Sequence, residues 1–593
     1  MASSSHLQER GVQGSASDPK GSRFLGIVSL HSRKILLGGV SLLVALLVLP
    51  PIGMLLFSSI RSTANRLPFE ATRFTLSNYI KVFSSEVTYR LLLNTAGYAI
   101  GTVVLAMTIA IVFAWFLERT NVPFRRTMFV LILAPMGVPS IIISMAWILF
   151  ANPANGFFNV MLRSLLGLKG LGPINIYSIP SMIVVSALSF VPMIYIMISG
   201  VFSRLDPSLE EAGRTSGART WASFRRISLP LLGPALFAAT IYYLVISAET
   251  FEIPAMLGMP RRIFVFSSMI YYAIHPMTSF PDYGLASTYG TLLLFTAGVL
   301  ICLYARYIRH ADRFATITGR GYRPRLIDLG RWRFLPVLLM SVYFIFAVGM
   351  PLLILLWTSL APPYAPISPS SLGLVNLDAY REMLHYPDLW VAAKNTLFIA
   401  ASTGSLTMLI VTLASWLSVR GGIRGSWVPD RLAFVMLGIP SIVLSLGLMF
   451  IYTAAPLPIY GTLWIIVIGL VTRSLPFGTR LMGAAFLQVH RELEEAAATS
   501  GASMWATFWH VVLPLLWPSF ARGVLWAFVR SMSETTTALM LYVAGNQTLA
   551  VLLWFLWVEQ AAFGLASAIA VPLVIVTTIL TYFVAKQTML VRG

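Results

Sequence analysis

Charge is scarce in this chain. Only 11% of its 593 residues are Asp, Glu, Lys or Arg, against about 25% in a soluble globular protein, and that shortage excludes an ordinary water-soluble domain. Cysteine is nearly missing. Cys302 stands alone, which excludes an intrachain disulfide framework and a zinc site built on thiolates. Among the seven histidines no pair has the His-Glu-x-x-His spacing of a helical zinc protease. Lysine is rare too: Lys20, Lys34, Lys81, Lys169, Lys394 and Lys586 are all there are. None sits between a glycine and a serine or threonine, as a phosphate-binding loop requires. No nucleophile–base pair or metal set points to catalysis, so the chain reads as a non-enzyme that does not bind ATP itself.

What is present is apolar. Hydrophobic residues make up 57% of the chain, mean hydropathy is +0.79, and the apolar residues come in runs of about 20, the length that crosses a bilayer. The reading is an all-α membrane protein of about twelve spans. Six lie near 35–60, 89–117, 127–151, 179–203, 232–255 and 285–308. Six more lie near 334–360, 391–418, 432–453, 461–485, 516–543 and 564–588. Residues 1–34 read as a polar, disordered cytoplasmic tail, 35–308 and 334–593 as two units, and 309–333 as a basic linker. The formal charge of +20 fits cytoplasmic loops and anionic lipid headgroups rather than nucleic acid, since no basic soluble domain is present. Arg309, Arg313, Arg320, Arg323, Arg325, Arg331 and Arg333 between the units place that loop inside. An even number of spans then puts both termini in the cytoplasm.

The two units repeat each other. Leu76-Ser77-Asn78-Tyr79, Asn94-Thr95 and Val138-Pro139-Ser140-Ile141 recur 301 residues on as Leu377-Asp378-Ala379-Tyr380, Asn395-Thr396 and Ile439-Pro440-Ser441-Ile442. After the outside loop that follows Phe150 the offset falls to 284, because the first unit carries 17 extra residues there. Six spans per unit make this a parallel repeat about an axis along the membrane normal. The strongest repeat is cytoplasmic: residues 209–234 and 493–518 agree at 16 of 26 positions. Lipid-facing positions need only be apolar, so agreement of this degree in a polar loop suggests that both copies meet the same kind of partner.

Within that loop, Glu211-Ala212-Gly213, then Gly217, then Ile227-Ser228-Leu229-Pro230 resembles the EAA loop of ABC-type importer permeases. Glu495-Ala496-Ala497, Gly501 and Val511-Val512-Leu513-Pro514 match at the same spacing. Gly213 and Val511 are mild departures. The chain resembles a fused type I importer permease over 35–593, with two six-helix permease domains, in the bacterial inner membrane. The resemblance implies two copies of a separate ATPase subunit that holds ATP and magnesium, a periplasmic substrate-binding protein, and no cofactor on this chain. It also implies that Glu210, Glu211, Ala212, Gly217, Leu229 and Pro230, with Glu494, Glu495, Ala496, Gly501, Leu513 and Pro514, couple the permease to the ATPase. The residues themselves agree. Asp206 and Pro207 suit a helix start, and Gly217 and Gly501 suit a bend between two short helices. Trp221 with Phe224, and Trp505 with Phe508, offer each second helix an apolar face for a partner groove or for the membrane surface.

Charges at membrane depth are costly and mark function by default. Glu249, Glu252, Arg473, Arg530 and Glu534 are such charges. They either line a polar substrate path between the halves, or Arg530 and Glu534, four apart, neutralise each other and pack the bundle. No span holds a metal-ligand set. Glu249-Thr250-Phe251-Glu252-Ile253-Pro254 and Thr472-Arg473-Ser474-Leu475-Pro476-Phe477-Gly478 are similar to segments of ferric-iron importer permeases; those for thiamine, polyamines and aminoethylphosphonate look broadly alike. A secondary transporter also fits twelve spans and a parallel repeat, but it would not need two matching cytoplasmic loops.

Overall fold

The computed structural model describes residues 19–61, 66–71, 73–202, 215–217, 222, 224–276, 279–311, 326–365, 369–454 and 457–589. Ten helices there are long and apolar enough to cross a membrane. Two further crossings are each built from a bent pair: Arg125–Gly137 with Ser140–Ala151, at 98°, and Val428–Gly438 with Ser441–Ala454, at 110°. The expected third and ninth spans are therefore broken rather than straight. The cause is the repeated proline. A residue before proline is pushed out of the helical region, and Val138 (φ −102°, ψ 120°) and Ile439 (φ −105°, ψ 112°) are both extended.

The expected fifth and eleventh spans, 232–255 and 516–543, also stop short. The helices Leu229–Glu249 and Leu513–Met532 end in breaks, and the short helices Glu252–Leu257 and Thr536–Met540 follow. Pro254 lacks an N–H and its ring clashes four residues back, at Thr250. In the second half the run Ser533-Glu534-Thr535-Thr536-Thr537 carries side chains that compete for backbone groups. The first helix begins at Pro19, ahead of the expected boundary at residue 35: Phe24, Leu25, Ile27, Val28 and Leu30 are apolar residues within the otherwise polar leader.

Among the described residues the halves share their spans and bent pairs, while the first alone carries the helix Phe157–Leu166, and they interlock. The Ser32–Ser59 helix packs on the bent pair of the second half, and Met350–Leu360 packs on Ser140–Ala151 of the first. At Gly447 a Cβ would come within 2.3 Å of the Pro51 carbonyl oxygen, so only glycine lets the two backbones approach this closely. A single buried apolar cluster contains residues from both halves.

Candidate coupling loops and charged seam

The second of the two matched loops is described throughout. Glu492–Thr499 is a helix with three acidic residues in its first turn, where the helix dipole favours them. It ends in a Schellman turn: the Gly501 N–H donates to Ala498 O at 3.1 Å and the Ala502 N–H to Ala497 O at 3.0 Å. Gly501 has φ +84°, and Gly217 in the first loop has the same value. Ser503 then caps the next turn, accepting from the Ala506 N–H at 3.2 Å. That turn is no separate short helix. Met504–Met532 runs on into the membrane as one span, through a widened π-type turn at Phe508–Val512. Phe224–Ser228 widens identically in the first half. In both, a Leu-Pro pair follows at once, and the proline removes the regular hydrogen bond there. Leu229 and Leu513 are half-buried, and Pro230 and Pro514 exposed. Glu210, Glu211, Ala212 and Trp221, together with Asp206 and Pro207, lie outside the described residues.

The two glutamates of the second loop face different ways. Glu494 turns inward: its carboxylate pairs with Arg420 Nε at 3.2 Å and accepts from the Trp416 indole N–H at 3.2 Å. Arg420 also donates to the carbonyls of Phe486, at 3.0 Å, and of Val489, closing the end of the Leu463–Gln488 helix. Glu495 is exposed and pairs only along its own helix, with Arg491 at 3.1 Å. Ala496 is exposed. The aromatics divide as well. Phe508 is buried and packs at a tilt against Trp416 with ring centres 4.9 Å apart, whereas Trp505 is 46% exposed. Phe224 meets Trp115 at 5.5 Å. The expected apolar face is thus graded in depth: the Trp505 and Phe508 rings meet at 6.2 Å, Phe508 holds the loop to the bundle and Trp505 is open. Trp416 escaped the sequence reading, and Arg420 counts there only as a basic residue on the inside, although the repeat marks both, since Trp115 and Arg119 stand 301 residues earlier.

The intramembrane charges gather where the helix breaks of the two halves meet. Arg473, mid-way along Leu463–Gln488, forms an ion pair with Glu249, the last residue of Leu229–Glu249. Its second guanidinium nitrogen donates at 2.8 Å to the Ile439 carbonyl, which the proline break frees from the helix ladder. Glu252 accepts from the Thr536 hydroxyl at 2.8 Å. Both contacts cross from one half to the other. Glu534 accepts only long bonds from Thr537, at 3.4 and 3.5 Å. Arg530 is exposed, and among the described residues no ion pair joins it to Glu534. The anticipated intrahelical neutralisation is therefore not what this conformation contains. No three His, Cys, Asp or Glu side chains converge as a metal-ligand set among the described residues.

Two stretches of the chain, 106–313 and 408–589, match the family described as binding-protein-dependent transport system inner membrane component. The chain belongs to this family. Each stretch contains one of the two matched loops and one whole bent pair, so the family match and the internal repeat describe the same duplication. The permease is 27% identical over 414 residues to a ferric transport system permease protein of Actinobacillus pleuropneumoniae, covering 69% of this chain and 58% of that one. It is 21% identical over 534 residues to an Fe(3+)-transport system permease protein of Haemophilus influenzae, covering 88% and 95% respectively. A solved bacterial alginate ABC transporter in complex with its periplasmic protein aligns over 42% of this chain and 85% of that one, with 20% identity and a TM-score of 0.35.

Proposed function

We propose that the permease carries cargo, handed over by an external substrate-binding protein, inward through the seam between its halves. Two copies of a separate ATPase, which hold ATP and magnesium, drive it from the two cytoplasmic loops. Both termini then lie in the cytoplasm, and this chain carries no cofactor. One observation supports this above all: two loops on one polypeptide share 16 of 26 residues, a glycine at φ +84° and a widened turn before Leu-Pro. A pair of surfaces so alike fits a pair of identical partners. Glu249, Glu252, Arg473, Arg530 and Glu534 are the polar groups cargo would meet, consistent with the rule that charges at membrane depth mark transport paths.

Ferric iron is the proposed cargo, supported by the relatives named for its transport. The test is reconstitution in liposomes with a candidate ATPase and a candidate binding protein from the same organism. Iron-loaded binding protein should stimulate ATP hydrolysis and load iron into the vesicles. Stimulation by thiamine, a polyamine or 2-aminoethylphosphonate instead would replace the cargo but keep the importer. Transport that needs neither ATP nor binding protein would overturn the importer reading.

A further inference from the structure

The twofold likeness of the halves fails at several positions of the seam, and one of them makes an ion pair. Each half carries a Glu-Thr pair at the break of its post-loop helix, Glu249-Thr250 in the first and, one residue beyond the 284 offset, Glu534-Thr535 in the second. Each half also has a proline inside the helix that precedes its loop, Pro192 and Pro476. Three residues before Pro476 stands Arg473, but three residues before Pro192 stands Ser189, whose hydroxyl donates at 3.0 Å to its own helix at Val185. Both halves supply the carboxylate and only one supplies a guanidinium. Glu249–Arg473 is an ion pair without a symmetry mate.

Its placement links the two loops. Glu249 ends the helix that starts at Leu229, directly after the first loop, and Arg473 lies on the helix that ends at Gln488, directly before the second. At 1.5 Å per residue the pair sits about 30 Å along the first rod and about 22 Å along the second. Arg473 also holds the Ile439 carbonyl, so the bent pair of its own half is tied to the same point. We propose that Glu249–Arg473 is a one-sided latch that keeps the seam shut at rest and must part each time cargo passes; this rests on the importer reading above. A buried ion pair suits a contact that is repeatedly made and broken, because the desolvation of its charges largely offsets their attraction. The groups beside it are prepared for water. Glu249 Oε2, Ser247 Oγ and Thr535 Oγ1 are buried without a hydrogen-bond partner, and hydration of the opened seam would satisfy them.

The single cysteine makes the test clean. In a Cys302→Ser background reconstituted with ATPase and binding protein, Glu249→Cys with Arg473→Cys is joined by a short, cleavable bis-maleimide. Uptake should fall about tenfold or more when joined and return on cleavage, as expected if the closed state is held at the expense of the open one. The uncleaved but unreacted double variant, and separately Arg473→Gln, should raise ATP hydrolysis in the absence of binding protein. Glu249→Arg with Arg473→Glu should bring that leak back toward the parent value. Ser189→Arg, offering Glu534 a partner, should slow uptake without lowering protein yield. Full uptake by the joined protein overturns the latch, as does a charge swap that leaks as much as either single reversal. If the Cys302→Ser parent shows no stimulation by any loaded binding protein, the importer reading itself has failed.

Discussion

Replacing Gly501 isolates what the loop geometry contributes. Its φ of +84° lies in the left-handed region, where a side chain costs an L-residue about 1–2 kcal/mol. Nothing lies within 4 Å of a Cβ built at this position, so steric conflict within the chain adds nothing and the cost is backbone strain alone. The two hydrogen bonds of the turn, at 3.1 and 3.0 Å, hold the 492–499 helix at a fixed angle to the span that follows. A penalty of 1–2 kcal/mol cuts the population of that angle roughly five- to thirty-fold relative to its alternatives. Gly501→Asn should be mildest, because asparagine visits this region with local hydrogen bonding. Gly501→Ala should be worse and Gly501→Val worst, since a β-branched residue there is a true outlier. Gly501→Asp has the backbone tolerance of asparagine but adds a charge beside Glu492, Glu494 and Glu495, so the Asp–Asn difference reads electrostatics and the Asn–Ala–Val order reads conformation. The assay is recovery of the ATPase with the tagged permease, alongside uptake and permease yield. Gly217, with the same φ and the same open space, should follow the same order. Full ATPase recovery in Gly501→Val would refute the argument. So would equal loss in Gly501→Asn and Gly501→Val, because crowding by the partner rather than backbone strain would then set the effect.

Native mass spectrometry of the assembled transporter should give one permease to two ATPase subunits, and a stable complex with two permease chains would contradict the fused reading. Arg473→Ala and Glu534→Ala should impair uptake; removing one member of the buried Arg473–Glu249 pair also costs about 3–5 kcal/mol of stability, so uptake must be normalised to folded protein, and normal uptake in both variants would remove these residues from the path. Glu494→Gln should loosen the loop while Glu495→Gln should weaken the ATPase contact without loosening it. Protease protection at residues 489–503 tells them apart, and equal protection in the two variants would show that the Arg420–Glu494 pair does not hold the loop. Trp505→Ala should lower ATPase recovery at unchanged thermal stability, whereas Phe508→Ala, which empties a buried aromatic contact, should cost about 3–5 kcal/mol of stability; the reverse assignment would show that the exposed and buried sides have been exchanged.

Most of the architecture was legible because it depends on periodicity and repetition. Apolar runs mark the crossings, and two matched loops with glycines at one spacing mark the surface proposed to meet a partner. The bends were legible too, once Val138-Pro139 and Ile439-Pro440 are read as residues held extended before proline instead of as ordinary interior positions of a span. Hydropathy averages over such a break, so it returned straight helices. The same averaging carried the fifth and eleventh spans past Glu249 and Met532, where Pro254 and the Ser-Glu-Thr run interrupt the ladder.

Direction was the information that spacing alone could not carry. Glu494 and Glu495 are neighbours in a motif, yet successive residues on a helix do not share a face, and only the position of Trp416 and Arg420 decides which glutamate turns inward. Trp505 and Phe508 do share a face at three residues apart; depth separates them, since Trp505 projects below the bundle and Phe508 lies one turn further in, against Trp416. For the membrane charges, local spacing was misleading. Arg530 and Glu534 are four apart and remain unpaired with each other, while Arg473 finds Glu249 across 224 residues of sequence. A pairing at that separation depends on how the halves interlock, and the repeat that reveals the halves also conceals it, because alignment of equivalent positions draws attention to what they share. The asymmetry proposed to be functional is one of the places where they differ, with an arginine before Pro476 and a serine before Pro192.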